Sequence, residues 1–401
     1  MTGPRTELLL TGEELVTGKV VDSNGPFLAA RLARMGLPCL RMTLVGDGGT
    51  EITAAAREAL SRADLVIVSG GLGPTGDDVT RPALAEALQR PLTSPDPLPG
   101  HRPGTVPEGA RQIDNPQGSA AGFWVDAGCV LVALPGVPWE LEAMWPELES
   151  RIRSRFPDAV RFARTLRTVG RMEKELDGQV REALAGMYGV TWGVTANPLA
   201  VDLHLTANDA IALDEADARV RRAVGDAVYA EGDTSLAETV GILLRGKGWR
   251  VATAESCTGG GISAALTAVP GASDYVERAV VSYSNAAKVE ALGVPEALIA
   301  EHGAVSEPVA RAMAEGLLTR SHADITLSVT GIAGPTGGTA EKPVGTVFMA
   351  VAGPDGTFCR RFVHAGDRAR FVVRTVNRGL DMLRHRITGG MASLERHFPP
   401  G

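Results

Sequence analysis

The chain has 401 residues, 44% hydrophobic and 22% charged, a balance that supports packed cores and excludes an intrinsically disordered polymer. Its length exceeds one ordinary core, so two or three domains are expected. A net charge of -7 excludes a surface given over to nucleic acid or anionic lipid, which needs a net-basic face, and leaves room only for local anion sites.

Cys39, Cys129, Cys257 and Cys359 are scattered without a CxxC spacing, which reads as reduced thiols rather than a zinc or redox pair. The start, MTGPRTELLL, lacks an export-signal pattern, and no run reaches the roughly 18 apolar residues of a membrane span. A cytoplasmic protein with no membrane partner is expected.

In residues 1–157, TELLLTG, PCLRMTLVG, DLVIVSGG and CVLVALPG read as strands, and NGPFLAARLARMG and TEITAAAREALSRA as helices between them. That alternation predicts β/α units on a parallel sheet. In PLTSPDPLPGHRPGTVPEGA, residues 91–110, Pro and Gly are so frequent that a loop is predicted. Residues 158–232 change texture, with strands TLRTVG, VTWGVTA and AVDLHLTA and helices KELDGQVREALAGM and LDEADARVRRAVGDAV. This is a small α+β unit, read as a spacer or dimerisation module. A KH-like reading lacks its GxxG clamp and a basic surface. Residues 233–395 open with the helix SLAETVGILLRGKG, followed by strand WRVATAE and the turn SCTGGG. Strand and helix are then expected to alternate through RAVVSY, ADITLSVTG, GTVFMAVAG and TFCRRFVHAG, giving a second α/β domain.

Open α/β sheets bind ligands at the carboxyl ends of their strands, so the residues there are the candidates. In the first domain Gly70, Gly71 and Gly73 follow a strand and let backbone amides approach a pyrophosphate. Asp77 and Asp78 either hold a divalent cation or cap the next helix, and Asp47 and Glu13 are further acids for the same site. In the last domain Ser256 sits at a strand-to-helix turn, either as a nucleophile beside helix N-terminal amides or, like Thr258, as a cap. Lys288 lies in the first turn of SNAAKVEALG, where it opposes the helix dipole. It is either a solvated surface lysine or, partly buried, a general base for Ser256. Tyr283 is one turn earlier. Thr330 and Gly331 begin the glycine-rich TGIAGPTGG, and Asp367 reads as an N-cap with Arg368, Arg370 and Arg374 in the first turns behind it. Arginines at a helix start point to an anionic ligand such as phosphate. His364 reads as a strand-interior residue and Cys257 as small-residue packing, so no Ser-His-Asp triad is supported.

AESCTGGG, VVSYSNAAK, SVTGIAGP and GDRARFVVR resemble the C-terminal domain of the CinA (competence/damage-inducible) family, which matches nicotinamide-nucleotide amidohydrolases. TGEELVTGKVVDSN and SGGLGPTGDDVT are similar to its N-terminal domain. The resemblance implies a three-layer molybdopterin-binding-like α/β domain, a small middle domain and an α/β amidohydrolase domain. It implies deamidation of nicotinamide mononucleotide (NMN) without a cofactor. Ser256 would be the nucleophile, Lys288 the base, Tyr283 and Thr330 assistants, and Arg370 the phosphate clamp, with Thr258, Gly259, Gly260, Gly331 and Arg368 around the substrate. The same resemblance implies metal-dependent ADP-ribose hydrolysis at Gly70, Gly71, Gly73, Asp77 and Asp78, with Asp47 and Asp78 on the metal, and a homodimer. Two departures stand out. Residues 91–112 replace a helical Asn-x-x-Gln-Ala stretch with a proline-rich passage, and Gly170-Arg171-Met172-Glu173-Lys174 replaces Gly-x-Gly-Glu-Ser. The first motivates, as an alternative, a non-catalytic nucleotide-binding or competence-associated protein with degenerate enzyme domains.

Overall fold

The computed structural model describes residues 4–76, 78–96, 98, 104–159, 162–196 and 201–399. The chain divides into two compact units, residues 1–163 with 207–210 and residues 164–206 with 211–401. None of its described helices is long and apolar enough to cross a membrane.

The first unit runs β1 (Thr6–Thr11), α1 (Glu13–Val16), α2 (Asn24–Arg34), β2 (Cys39–Val45), α3 (Gly49–Arg62), β3 (Leu65–Ser69), α4 (Thr80–Ala87), β4 (Leu92–Thr93), β5 (Val106–Pro107), β6 (Arg111–Ile113), β7 (Gly122–Ala127), β8 (Cys129–Leu134) and α5 (Pro138–Arg155). The main sheet has the order β2-β1-β3-β8-β7-β6. Its first four strands are parallel, and β7 and β6 add antiparallel. Strands β1, β3 and β8 are buried along their whole length, which is why they read as unbroken apolar runs. Successive residues serve opposite faces. Leu8, Ile67 and Val132 meet α2 and α5, whereas Leu9, Val66 and Leu131 meet α3 and α4. Helices on both faces of one sheet make the three layers. The loop expected at 91–110 is corrected in part: Leu92 pairs with Pro107 and Thr93 with Val106, because Val106 is buried in the core and anchors the return.

The second unit takes in most of β9 (Phe162–Thr168), α6 (Glu173–Ala183), β10 (Val190–Ala196), β11 (Val201–Ala207), α7 (Ala210–Val224) and β12 (Val228–Glu231), whose strands form a sheet ordered β10-β11-β9-β12. The chain continues as α8 (Leu236–Lys247), β13 (Val251–Glu255), α9 (Gly261–Thr267), β14 (Val276–Val281), α10 (Asn285–Leu292), α11 (Glu296–His302), α12 (Glu307–Thr319), β15 (Ile325–Gly331), β16 (Thr346–Gly353), β17 (Gly356–Val363) and α13 (Arg368–His397). The α+β segment shares a core with these later elements. Val169 and Tyr229 pack into it, and Arg384 on α13 donates to the Asp226 carbonyl at 2.9 Å.

Here the expected alternation holds only as far as β15. Strands β14, β13 and β15 are parallel, but β15-β16 and β16-β17 are antiparallel neighbours with no helix between them. Two reversals return β17 to the direction of β15. The carboxyl ends of β13, β14, β15 and β17 therefore share one sheet edge, and Ser256, Tyr283, Gly331 and Arg368 all lie at or just beyond it.

Candidate active site

Ser256 follows the last residue of β13. Its amide donates to the Val329 carbonyl on β15 at 3.1 Å, which fixes the turn against the sheet. The capping alternative for Ser256 and Thr258 falls to their neighbour. Glu255, fully buried, accepts from the amides of Ile262 (2.9 Å) and Ser263 (2.8 Å) at the start of α9. It also accepts from the hydroxyls of Thr253 (3.1 Å) and Thr258 (2.7 Å). One carboxylate thus satisfies the orphan donors that a helix start leaves open. Those two helix amides are not open to an oxyanion. The amides of Cys257 and Thr258, earlier in the turn, donate to no backbone carbonyl among the described residues.

The Ser256 hydroxyl instead accepts from Lys288 Nζ at 3.2 Å. Ser284 caps α10 through the Ala287 amide at 3.1 Å, which turns Lys288, the fourth helical residue, inward. Only 1% of Lys288 is exposed, so the solvated-surface alternative is removed. Nζ also donates to the carbonyls of Ser282 (2.8 Å) and Tyr283 (3.3 Å), and no carboxylate pairs with it among the described residues. Burial without a counter-ion pushes its pKa below the ordinary lysine value. A neutral amine keeps two N–H bonds for the two carbonyls and presents its lone pair to the serine proton. Beside it, burial pushes the Cys257 thiol up to about 12, so it stays protonated and packs.

The other expected residues divide. Arg368 donates to the Tyr283 hydroxyl at 2.9 Å and to the Gly334 carbonyl at 3.1 Å, which joins the ends of three strands above the serine. Tyr283 is 61% exposed, and its hydroxyl is on Arg368 rather than on the lysine. Asp367 caps α13 through the Arg370 amide at 2.8 Å, as expected, and the Arg370 side chain stands in solvent with Nε 3.6 Å from Asp367. Thr330 is buried with its hydroxyl on the Ala304 carbonyl at 2.8 Å, and Thr258 is buried on Glu255. Both hydroxyls are spent inside the fold. Gly259 and Gly260 carry the open turn, and a Cβ on Gly331 would lie 3.1 Å from Cys257 Sγ. His364 lies just beyond β17, between Phe362 and Phe371. Burial holds its pKa down at about 4.

A separate cleft of about 580 Å³ opens in the first unit at the carboxyl ends of β1, β3 and β8. Gly70, Gly71, Gly73, Asp47 and Asp78 line it together. Gly71 has φ +63°, and a Cβ there would be 2.2 Å from Thr80 Oγ1, so the turn requires glycine. Asp78 accepts from the amide and hydroxyl of Thr75, and Asp47 accepts from the Glu13 amide at 2.9 Å. Asp78 braces its own turn rather than capping α4, whose N-cap Val79 makes no side-chain bond. Asp77 lies outside the described residues. No trio of His, Cys, Asp or Glu is gathered for a metal among the described residues. Asn115, which the sequence does not flag, is buried and ties the Ala120 carbonyl to Glu140 at 3.0 and 2.8 Å, setting one wall.

Residues 233–387 match the family description "CinA C-terminal domain" and residues 7–154 match "Probable molybdopterin binding domain". A CinA-like protein of Anaeromyxobacter dehalogenans is 42% identical over 95% of this chain and 99% of its own. One of Gloeobacter violaceus is 40% identical over 96% and 97%. The chain belongs to the CinA family. Among solved structures, the competence/damage inducible protein CihA of Agrobacterium tumefaciens is 43% identical, covering 37% of this chain and 91% of its own at a TM-score of 0.36.

Proposed function

We propose that the second unit hydrolyses the carboxamide of a small phosphorylated nucleotide, NMN, to nicotinate mononucleotide and ammonia. The observation that carries this reading is the 3.2 Å contact between Ser256 Oγ and an almost wholly buried Lys288 that has no carboxylate partner among the described residues. That is the arrangement a Ser-Lys acyl-transfer site needs. Ser256 Oγ attacks the carboxamide carbon while its proton passes to Lys288 Nζ. The oxyanion forms beside the Cys257 and Thr258 amides. Lys288 returns the proton to the departing nitrogen, the C–N bond breaks, and ammonia leaves an acyl-serine. Water, deprotonated by the same amine, releases the acid. Arg368 and Arg370 supply cations for the phosphate. The test is ammonia release from NMN by the full chain and by Ser256→Ala. No release by the wild type, or full rate in the variant, overturns the reading, and nucleotide binding without turnover supports the degenerate-enzyme alternative.

A second reading rests on the glycine-lined cleft of the first unit, whose size suits a small ligand. It is an ADP-ribose pyrophosphatase site. Incubation with ADP-ribose and a series of divalent metals should yield AMP, and absence of AMP with every metal rejects it.

A further inference from the structure

The first unit carries a second cleft, of about 520 Å³, between the β6-β7 edge and the C-terminal half of α5. Its character is opposite to that of the glycine-lined cleft. Among the described residues, that one is lined by Glu14, Asp22, Asp47, Asp78 and Glu140 with no lysine or arginine. This one has, among the described residues, Arg111, Arg151 and Arg155 against a single carboxylate, Asp126.

The lining is ordered by local structure. Arg111 and Trp124 are direct cross-strand partners, so their side chains stand together on one face. Trp124 packs partly on the core and also lines the cleft. Arg151, Ser154 and Arg155 come from adjacent turns of α5. Arg155 is steered by Asp126, with Nε 3.0 Å from Oδ2. Arg151 is held through Nη2 by Glu147 and the Gln112 carbonyl. Arg111 is exposed and makes no ion pair among the described residues. Two guanidiniums are thus held in place and a third is uncommitted, beside an indole and a helix hydroxyl. Guanidiniums match the oxygens of a phosphate, and an indole face matches a planar ring.

We propose that this cleft is a nucleotide site distinct from the glycine-lined one, taking a small phosphorylated compound with a planar ring. The phosphate sits among Arg111, Arg151 and Arg155, and the ring lies on Trp124. The volume is that of a small-molecule pocket and matches a mononucleotide.

The full chain is titrated calorimetrically with AMP, adenosine and inorganic phosphate. AMP should bind more tightly than either fragment, and added salt should weaken it. Arg111→Ala, a surface change expected to leave thermal unfolding unaltered, should weaken AMP at least tenfold. Trp124→Leu, checked for folding by the same melt, should bring AMP down toward inorganic phosphate. Asp47→Asn, in the other cleft, should leave this binding intact, and the outcome does not depend on whether NMN releases ammonia. AMP affinity unchanged by Arg111→Ala overturns the proposal. So does adenosine or phosphate binding as tightly as AMP, or loss of the site in Asp47→Asn.

Discussion

Lys288→Met separates chemistry from architecture in the proposed deamidase. The substitution keeps volume and removes an amine that is 1% exposed and has no carboxylate partner among the described residues. The carbonyls of Ser282 and Tyr283 lose their donor, at about 1–3 kcal/mol for each group left buried and unpaired. Relief from burying an ammonium offsets this, so the unfolding free energy is expected to move by less than about 2 kcal/mol. The rate should fall much further. A positioned base contributes about 10²–10⁴-fold, roughly 3–5 kcal/mol of barrier, read as ammonia released from NMN in a coupled assay. Burial lowers the folded-state pKa of Lys288 below 10.5. The wild-type kcat/KM should therefore climb with pH through that lowered value as the amine becomes neutral. The unfolded chain keeps the proton up to about 10.5, so between the two values it binds more protons than the folded chain, and stability rises with pH there. Lys288→Met should lose both slopes. A variant that turns over within tenfold of the wild type, or that retains the rising limb, refutes Lys288 as the base.

Four further outcomes are expected from the same contacts. In Glu255→Gln the new amide nitrogen faces one threonine hydroxyl, which rotates to accept, and one α9 amide, which cannot; the loss of about 1.5–3 kcal/mol should shift the urea midpoint, and an unmoved midpoint removes the carboxylate as the helix anchor. Tyr283→Phe should raise KM for NMN with kcat nearly unchanged, because its hydroxyl accepts from Arg368; a collapse of kcat alone would instead give that hydroxyl a part in proton transfer. Gly71→Ala should lower the melting temperature of the first unit through its φ of +63° and the Thr80 overlap, while ammonia release continues; equal damage to both would contradict the separation of the sites. His364 and His385 are held by burial at about 4 against an ordinary 6.5, with Arg374 and Arg378 facing the first and Asp381, Arg384, His397 and Asp226 around the second. The unfolded chain takes up these protons first, so stability should fall as pH drops from 6.5 toward 4, and His364→Phe should flatten part of that slope in acid-unfolding curves.

The strands that build the two main cores were legible because burial on both faces leaves apolar runs such as LVIVS and CVLVAL. The β16-β17 hairpin carried a turn signal, Gly353-Pro354-Asp355-Gly356, between two strand-like runs, which reading the domain as repeated strand-helix units passes over. Arg368 was placed at the right sheet edge by its position after a strand, although its contacts with Tyr283 and Gly334 needed the fold. Thr330 shows the limit of the same rule. A residue at a strand end can face the site or the layer beneath it, and only the position of the Ala304 carbonyl decides which.

Ser256 was ambiguous for a related reason. A serine at a strand-to-helix turn serves equally well as a cap or a nucleophile, and nothing in its own neighbourhood of sequence separates them. The separation comes from residues that sequence reasoning treats as background. Glu255 completes β13, and its side chain reaches forward to Ile262 and Ser263 only because the turn folds α9 back over it. With the helix start satisfied, the adjacent hydroxyl owes nothing to the backbone, and it meets an amine delivered 32 residues later by a helix on the neighbouring strand. The acid thus fixes the serine's half of the site, while the Ser284 cap fixes the lysine's half. Disturbing Glu255 should loosen the serine before it unfolds the sheet, whereas disturbing Lys288 should stop the chemistry and leave the turn in place.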